Sequence, residues 1–289
     1  MSDPRVVVIG AGVGGLVSAL MLAQRGLNVS LVEASQQAGG KIHTRTVDGL
    51  AIDSGPTVMT MRWVFDDVFH QCGTSLESEL DLEPLSVLAR HFWPDGERLD
   101  LLADPQASEA EMERFGGALA ADQFKKFCTR SRALYDTLQG PFMRSQSPRL
   151  AGFAARLGPA GLSVLTQLGP MRTLWQQLQR EFQHPRLRQL FGRYATYCGS
   201  SPWQAPATMM LIAQVEMDGV WSVRGGMHAL VRSLQRLAQQ KGVTCHFGRR
   251  CERIELRDGA VSGVVLADGE RLNATAVVFN GEPSALRQG

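Results

Sequence analysis

A strand-like apolar run, a glycine-rich turn and a helix-like run follow one another without interruption near the start of the chain. Residues 6–9 are all apolar and predict a buried strand of a parallel sheet. Glycines follow in the spacing G-x-G-x-x-G at Gly10, Gly12 and Gly15, and apolar residues then recur at helical spacing. A second short strand-like run ends at Glu33. This order predicts a strand–helix–strand unit of an α/β fold.

Each part of this unit has a physical role in binding a dinucleotide. Gly10 permits a tight turn, Gly12 lets the backbone approach a pyrophosphate, and Gly15 lets the helix pack close to the strand. The N-terminus of the helix offers unpaired N–H groups and a positive dipole end to phosphates. Glu33 is placed to accept hydrogen bonds from a ribose diol. The alternative is a glycine-rich turn that binds nothing, and the unit does not distinguish NAD from FAD.

Composition excludes several classes of function. A chain of 289 residues is long enough for one large domain or two interleaved ones, and its net charge of +2 with no basic run argues against nucleic-acid binding. Five cysteines without a C-x-x-C pair favour reduced thiols in the cytoplasm, and the histidines show no metal-ligand spacing. No apolar run of membrane-spanning length occurs, and the first strand begins so early that we expect no signal peptide.

The middle of the chain predicts an inserted α+β domain. Two strand-like runs in residues 86–103 flank a Pro-Asp-Gly turn and predict an antiparallel hairpin. Residues 106–200 are predominantly helical in pattern. In the stretch 107–138 the apolar residues available for one face are Phe115, Leu119, Phe124, Phe127, Leu134 and Leu138.

The last third of the chain returns to the first domain. A helix with leucines on one face is predicted at residues 221–241. Strand-like runs separated by Asp258-Gly259 and Asp268-Gly269 then predict a β-meander, which leads into a final apolar strand at residues 276–279. The predicted domains are therefore 1–85 with 220–289, and the insertion 86–219.

The residues after Glu33 resemble the second motif of the two-dinucleotide-binding-domain flavoproteins. In that group a glycine pair and a basic residue follow the ribose-binding acid, and here they are Gly39, Gly40 and Lys41. Many members carry Arg in place of this lysine. The resemblance implies a Rossmann-like domain that binds FAD, with the glycine pair close to the cofactor and Lys41 offsetting pyrophosphate charge.

Further segments resemble the same flavoproteins. Residues 52–57 are similar to the stretch beneath the flavin, residues 224–227 to a glycine pair ahead of a helix, and residues 242–254 to the segment whose backbone meets the adenine. Most relatives have Val where this chain has Cys251, a change that a backbone contact tolerates. The motif and the resemblance together predict a set of cofactor-binding residues. They are Gly10, Gly12, Gly14, Gly15, Glu33, Ala34, Gly39, Gly40, Lys41, Gly55, Pro56, Thr57, Cys251 and Asn280.

Within this group the chain is similar to the bacterial carotenoid desaturases. Residues 53–60 resemble a phrase of that family as a whole. Residues 61–65 and 85–93 resemble phrases of the acyclic 1-hydroxycarotenoid 3,4-desaturases, also called methoxyneurosporene dehydrogenases. The resemblance implies dehydrogenation of a C–C bond in an acyclic carotenoid, in a long apolar tunnel and without a metal. It identifies no catalytic side chain. Arg62 and His91 are candidates for contact with a substrate hydroxyl, the alternative being ordinary solvated side chains.

The resemblance leaves alternatives open. A phytoene desaturase, a flavin amine oxidase and an FAD-binding fold without enzymatic activity share the same motifs. Members of the family continue past the point where this chain stops, which implies a truncated or partial sequence. If the chain is the complete product, we expect weak FAD retention and little activity. A lipid-dwelling substrate implies peripheral association with the cytoplasmic side of the inner membrane, and the apolar, arginine-bearing stretch 142–175 is the candidate contact. An ordinary helical core is the alternative for that stretch.

Overall fold

A computed structural model describes residues 5–145 and 172–287, together with residues 158, 159, 161, 163 and 166. Most of the stretch 142–175, the predicted membrane contact, lies outside the described residues. The chain divides into two compact units, of which the first combines Met1–Glu83 with Trp221–Gly289 and the second is Pro84–Val220. Among the described residues, no helix combines the length and the apolar character needed to cross a bilayer.

The secondary structure alternates strands and helices in the first unit and is mostly helical in the second. The strands are β1 (Arg5–Ile9), β2 (Asn28–Val32), β3 (His43–Val47), β4 (Leu50–Ser54), β5 (Leu82–Pro84), β6 (Val87–Phe92), β7 (Arg98–Leu102), β8 (Trp221–Val223), β9 (Thr244–His246), β10 (Cys251–Arg257), β11 (Ala260–Leu266), β12 (Arg271–Asn273) and β13 (Ala276–Phe279). The α-helices are α1 (Val13–Gln24), α2 (Arg62–Gln71), α3 (Leu76–Glu79), α4 (Pro105–Leu138), α5 (Leu174–Glu181), α6 (Pro185–Gly192), α7 (Ile212–Met217) and α8 (His228–Gln240).

A parallel sheet with the order β13-β1-β2-β9 organises the first unit. Val8 of β1 lies opposite Val278 on one side and Leu31 on the other, and Leu31 in turn pairs with Cys245. Helix α1 connects β1 to β2, which confirms the predicted strand–helix–strand unit and the α/β fold class. Because the strands are parallel, their carboxyl ends meet at one edge, which is where ligands bind in sheets of this kind.

Side chains of this sheet alternate between two buried clusters. Val6 and Val8 pack with α1 and α8, whereas Val7 and Val32 pack with residues of β11 such as Val264. This alternation follows from the two-residue period of a strand. The sheet is therefore covered by helices on one face and by the β-meander on the other, as a parallel sheet requires.

The β-meander consists of β10, β11 and β12, paired antiparallel in that order. Its first turn is the predicted Asp258-Gly259, where φ is +54° and +76°. Both residues need the left-handed conformation that such hairpin turns demand, which explains the Asp-Gly pair. After β12 the chain leaves the meander, and β13 joins the parallel sheet beside β1.

The second unit combines the predicted hairpin with a helical core. Strands β6 and β7 pair antiparallel across the turn at residues 94–96. Helices α4–α7 bury a cluster in which the rings of Phe127, Phe182 and Phe191 contact one another at centroid distances of 4.6–5.1 Å, with Phe182 stacked on Phe191. Helix α4 is interrupted at Gly117, whose φ of +78° is not helical.

Candidate functional site

A cleft of about 810 Å³ opens at the carboxyl edge of the parallel sheet, in the first unit. The ends of β1, β2 and β13 each contribute to its wall through the residues that follow them. Of the nominated cofactor-binding residues, the cleft is lined by Gly10, Gly12, Glu33, Ala34, Gly39, Gly40, Lys41, Pro56, Cys251 and Asn280. Four others, Gly14, Gly15, Gly55 and Thr57, are outside its lining.

The first glycine loop is shaped by contacts that exclude side chains. Gly10 has a φ of +96°, so the turn after β1 uses a conformation that favours glycine. A Cβ on Gly15 would lie 1.9 Å from the carbonyl oxygen of Gly10, so α1 approaches β1 too closely for any other residue. The residues that follow β13 close the other side, because the amide of Asn280 would be 3.3 Å from a Cβ on Gly12.

The second glycine pair packs directly against the first loop. The N–H of Gly39 donates to the carbonyl of Ala11 at 2.9 Å, and a Cβ on Gly40 would lie 3.0 Å from the Cα of Gly12. The chain therefore brings two side-chain-free stretches together, at the start of α1 and after β2. Backbone exposed in this way forms a cradle that an elongated, phosphate-containing ligand fits.

Glu33 is held in position by backbone N–H groups. Its Oε2 accepts a hydrogen bond from Ala11 at 2.7 Å, and its Oε1 accepts one from Ser35 at 2.8 Å. A carboxylate oxygen has more than one lone pair, so each oxygen keeps capacity for a further donor such as a ribose hydroxyl. The two bonds orient the carboxylate along the cleft wall, as an acid that binds a ribose diol requires.

An apolar wall completes the cleft, and sequence reasoning did not nominate it. The residues that supply it are Val58, Met59, Phe65, Met227 and Leu230. Met59 exchanges backbone hydrogen bonds of 2.8 and 2.9 Å with Trp221, so strand β8 fixes its position. A planar aromatic ring fits such a wall because burial of apolar surface favours it. The sequence signals near it were the family-like residues 53–65, which include Val58, Met59 and Phe65, and the glycine pair preceding Met227.

Cationic side chains line the cleft at two positions. Lys41 was nominated from the sequence, but Arg250, immediately before Cys251, was not. Cys251 itself is half-buried, and this burial raises the pKa of its thiol. The thiol group is therefore protonated at neutral pH and unsuited to act as a nucleophile.

The candidates for contact with a substrate hydroxyl are in different environments. Arg62 is engaged with Asp66, its Nε lying 3.3 Å from Oδ2, and with Glu77. His91 stacks on Trp93, and burial lowers the pKa of its imidazole, whose Nδ1 has no hydrogen-bond partner. Within the described part of the chain, no cluster of three or more His, Cys, Asp or Glu side chains is arranged to hold a metal ion.

Comparisons with known proteins agree with this geometry. Residues 13–288 match the family described as flavin containing amine oxidoreductase. A hydroxyneurosporene desaturase of Rubrivivax gelatinosus is 53% identical, over 100% of this chain and 56% of that protein. A protein of the same name from Cereibacter sphaeroides is 45% identical, over 99% of this chain and 58% of its own length. A 4,4'-diapolycopene oxygenase of Methylomonas is 34% identical, over 97% of this chain and 56% of that protein.

Solved structures share the fold. Putrescine oxidase bound to putrescine has a TM-score of 0.64 at 17% identity, and the match covers 99% of this chain and 59% of that one. Cyclohexylamine oxidase from Brevibacterium oxydans has a TM-score of 0.61 at 19% identity, with coverage of 99% and 59%. These likenesses support the Rossmann-like fold and nothing about the substrate.

The similarity to carotenoid desaturases that the sequence phrases indicated is confirmed by these relatives, and FAD is confirmed as the cofactor of the family. The chain spans little more than half the length of the curated relatives that it matches, 56% and 58% of the first two. The family match extends over nearly the whole chain, from residue 13 to residue 288. This chain belongs to the flavin-containing amine oxidoreductase family.

Proposed function

We propose that this chain is part of an FAD-dependent desaturase that acts on an acyclic carotenoid, introducing the 3,4 double bond of a 1-hydroxycarotenoid or its methoxy derivative. The observation that carries the proposal is the 53% identity, across the whole chain, to a protein named hydroxyneurosporene desaturase. Two further relatives, at 34% and 29% identity, are named 4,4'-diapolycopene oxygenase and 4,4'-diaponeurosporene oxygenase. Both names describe enzymes that act on carotenoids.

The cleft at the sheet edge is the proposed FAD site. Gly12, Gly14 and the N-terminus of α1 would bind the pyrophosphate through backbone N–H groups. Gly10 would provide the tight turn beside it, because its own N–H donates to the carbonyl of Val32 at 2.8 Å. Glu33 would accept hydrogen bonds from the ribose. The remaining proposed contacts are Gly15, Ala34, Gly39, Gly40, Lys41, Gly55, Pro56, Thr57, Cys251 and Asn280. The glycine cradle supports this assignment, since a Cβ on Gly40 would lie 3.0 Å from Gly12.

The chemistry of desaturation comes from the cofactor, and the protein provides the environment. Bound FAD would accept a hydride from one carbon of the polyene, while the neighbouring carbon loses a proton. Met59, Phe65, Met227 and Leu230 line the cleft and would exclude water from its apolar end. We assign no catalytic base.

The two parts of the chain have different proposed roles. Residues 1–85 and 220–289 would bind FAD, and residues 86–219 would face the substrate and the membrane. We place the enzyme on the cytoplasmic side, peripherally bound to the inner membrane, because an acyclic carotenoid dissolves in lipid. In liposome flotation, recovery of the protein only in the bottom fraction, with or without anionic lipid, would contradict the membrane association.

A pigment assay tests the activity. The full-length desaturase of which this chain is proposed to be part is expressed in one host that accumulates an acyclic 1-hydroxycarotenoid and in another that accumulates phytoene. We expect a red-shifted pigment in the first host alone, because the new double bond lengthens the conjugated chain of the carotenoid. Conversion of phytoene instead would favour the phytoene desaturase alternative, and hydrogen peroxide released from simple amines would favour an amine oxidase. Bound FAD that none of these substrates reduces would indicate a binding fold without this activity.

A further inference from the structure

The backbone around Arg250 is fixed beside the ribose-binding edge of the cleft. The N–H of Gly248 donates to the carbonyl of Ser35 at 2.8 Å, and the N–H of Arg249 donates to the carbonyl of Glu33 at 2.9 Å. On the other side, Ala267 donates to the carbonyl of Arg250 at 2.9 Å. Three backbone hydrogen bonds therefore hold the Cα of Arg250 next to the residues that follow β2, and Arg250 is an exposed residue of the cleft lining.

Two consecutive arginines differ sharply in their surroundings. Arg249 is ion-paired with Asp268 and with Glu270, where Nη1 lies 2.6 Å from Oε2. Within the described part of the chain, the guanidinium of Arg250 has neither an ion pair nor a hydrogen bond. Its donors are exposed at the cleft wall and available to a ligand.

The charge balance of the cleft indicates that the unpaired guanidinium of Arg250 binds an anionic group. Its charged lining residues are Lys41, Arg250, Glu33 and Glu282. A dinucleotide brings two further negative charges on its phosphates, and the carboxylate of Glu33 already satisfies backbone N–H groups rather than a cation. A single lysine leaves this negative charge under-compensated. Guanidinium groups bind phosphate oxygens through two parallel hydrogen bonds, a geometry that an ammonium lacks.

We propose that Arg250 binds the phosphate on the adenosine side of FAD, as a second cation beside Lys41. The inference rests on the proposed assignment of the cleft to FAD and adds to it a residue that neither the motif nor the resemblance nominated. Arg250 acts here in binding and takes no part in the redox step.

The test compares neighbouring arginines of equal charge. FAD binding is titrated by flavin fluorescence for the wild-type chain, Arg250→Ala, Arg250→Lys and the control Arg249→Ala, and ADP and adenosine are measured as competitors. Arg250→Ala is expected to weaken FAD and ADP about 5- to 20-fold, the range for a partly exposed charge-assisted contact. Arg250→Lys should recover part of the loss, and Arg249→Ala should stay within about twofold.

Three readouts distinguish a phosphate contact from a contact with the adenine base and from a loss of folding. Adenosine, which has no phosphate, should compete equally well for wild type and Arg250→Ala. Added salt should weaken FAD binding by the wild type more steeply than by Arg250→Ala, because screening acts on the charge that the variant lacks. Thermal unfolding should be nearly the same for both proteins, since the guanidinium makes no hydrogen bond or ion pair within the described chain.

Three results would overturn the inference. Equal FAD affinities for Arg250→Ala and Arg249→Ala would refute the role of Arg250 while leaving the cleft as the FAD site. An equal loss for adenosine and ADP would mean that Arg250 contacts the base instead of the phosphate. Failure of the wild-type chain to bind either FAD or ADP would reject the assignment of the cleft itself, and the role of Arg250 with it.

Discussion

Two glycines of the first loop serve different physical purposes. A Cβ on Gly15 would lie 1.9 Å from the carbonyl oxygen of Gly10, a distance that requires the backbone to move. Gly12 has φ −68° and ψ 172°, an extended conformation that any residue adopts, and its Cβ would come no closer than 3.3 Å to Asn280. Gly15 is thus needed by the fold, and Gly12 by whatever occupies the cleft.

Alanine at these positions should separate folding from binding. Gly15→Ala is expected to lower the free energy of unfolding by about 1–3 kcal/mol, the usual cost of forcing an atom into a packed region. Gly12→Ala should cost under about 1 kcal/mol in stability, as for alanine at a helix N-cap, but should weaken FAD binding. Urea denaturation and flavin fluorescence titration measure the two effects.

Gly140→Ala is the control for both variants, because no described atom outside its own helical turn lies within 4 Å of its Cβ position. It should leave FAD affinity unchanged and stability nearly so. A Gly12→Ala variant as unstable as Gly15→Ala would contradict the separation of roles.

The hairpin of the second unit carries an acid-sensitive ion pair. Arg90 donates from Nε and Nη2 to the two carboxylate oxygens of Asp100 at 2.7 and 2.8 Å, and this bond holds the pKa of Asp100 below its ordinary value. A carboxyl with a lowered folded-state pKa adds stability above its unfolded pKa, about 3.9 for Asp, and loses it as the pH falls through the folded value.

Asp100→Asn should therefore destabilise the protein more at pH 7 than at pH 2.5. The melting temperatures of wild type and variant are expected to converge on acidification. Protonation of Asp100 removes from the wild type the same negative charge that the substitution removes from the variant. Asp136→Asn, at an exposed position of α4, is the control. A difference in melting temperature that stays constant across this pH range would show that the ion pair is not its source.

At the scale of elements, the N-terminus of α8 ties distant segments together. The Oδ2 of Asp53, which lies in β4, accepts a hydrogen bond from the N–H of Met227 at 2.9 Å. The Nε2 of His228 lies 3.0 Å from the carbonyl oxygen of Ala38, just before the second glycine pair. A Cβ on Gly226 would come within 2.8 Å of the Asp53 carboxylate. The glycine pair ahead of α8 therefore makes room for an acid that caps the helix from another element.

Removing that cap should destabilise the first unit. Asp53→Ala is expected to cost about 1–2 kcal/mol in unfolding free energy, as for loss of a helix cap. Asp53→Asn retains an oxygen acceptor and should cost less than half of that. Urea denaturation measures both, and equal losses for the two variants would show that the interaction depends on charge rather than on the hydrogen bond.

The predicted apolar face of helix α4 was wrong at one residue. Leu119 was expected on the apolar face with Phe124 and Phe127, which are buried, but it is 51% exposed. Ala120, Phe124 and Phe127 recur at helical spacing and form the buried face of the helix after its interruption at Gly117. Leu119 lies one position before Ala120, about 100° of helix rotation, and so falls outside that face. Leu134 and Leu138, further along the helix, are buried as expected.

At the scale of the whole molecule, each unit has its own hydrophobic core. Leu230, Leu234 and Val8 are buried in a core of the first unit, and Phe127 and Phe191 in that of the second. Units with separate cores can unfold as separate cooperative transitions. The assignment of FAD to one unit and substrate to the other stays a prediction.

Core truncations should act on different unfolding transitions. Leu234→Ala is expected to cost the first unit about 2–5 kcal/mol, and Phe191→Ala to cost the second about 3–5 kcal/mol. Scanning calorimetry should show two transitions, each lowered by one variant only. Leu256→Ala, at a side chain that is 67% exposed, is the control and should change stability by less than about 0.5 kcal/mol. A single transition lowered by both core variants would contradict independent unfolding.

The sequence alone predicted features that depend on neighbours in the chain. The first strand–helix–strand unit, the hairpin of β6 and β7 and the Asp258-Gly259 turn all follow from local period and turn chemistry. Gly10 and Gly39, which the sequence nominated as cofactor-binding residues, line the cleft, and their spacing relative to a strand end is local as well.

Only the tertiary structure brought together residues that lie far apart in the chain. Asp53 and Met227 are separated by 174 positions, and no local pattern indicates that they meet. Arg250 and Met59 enter the cleft for the same reason, because the pairing of β9 with β2 and of β8 with Met59 sets their places. Local geometry is encoded in short windows of sequence, whereas the walls of a cleft depend on how whole elements pack, and packing is determined by the entire fold.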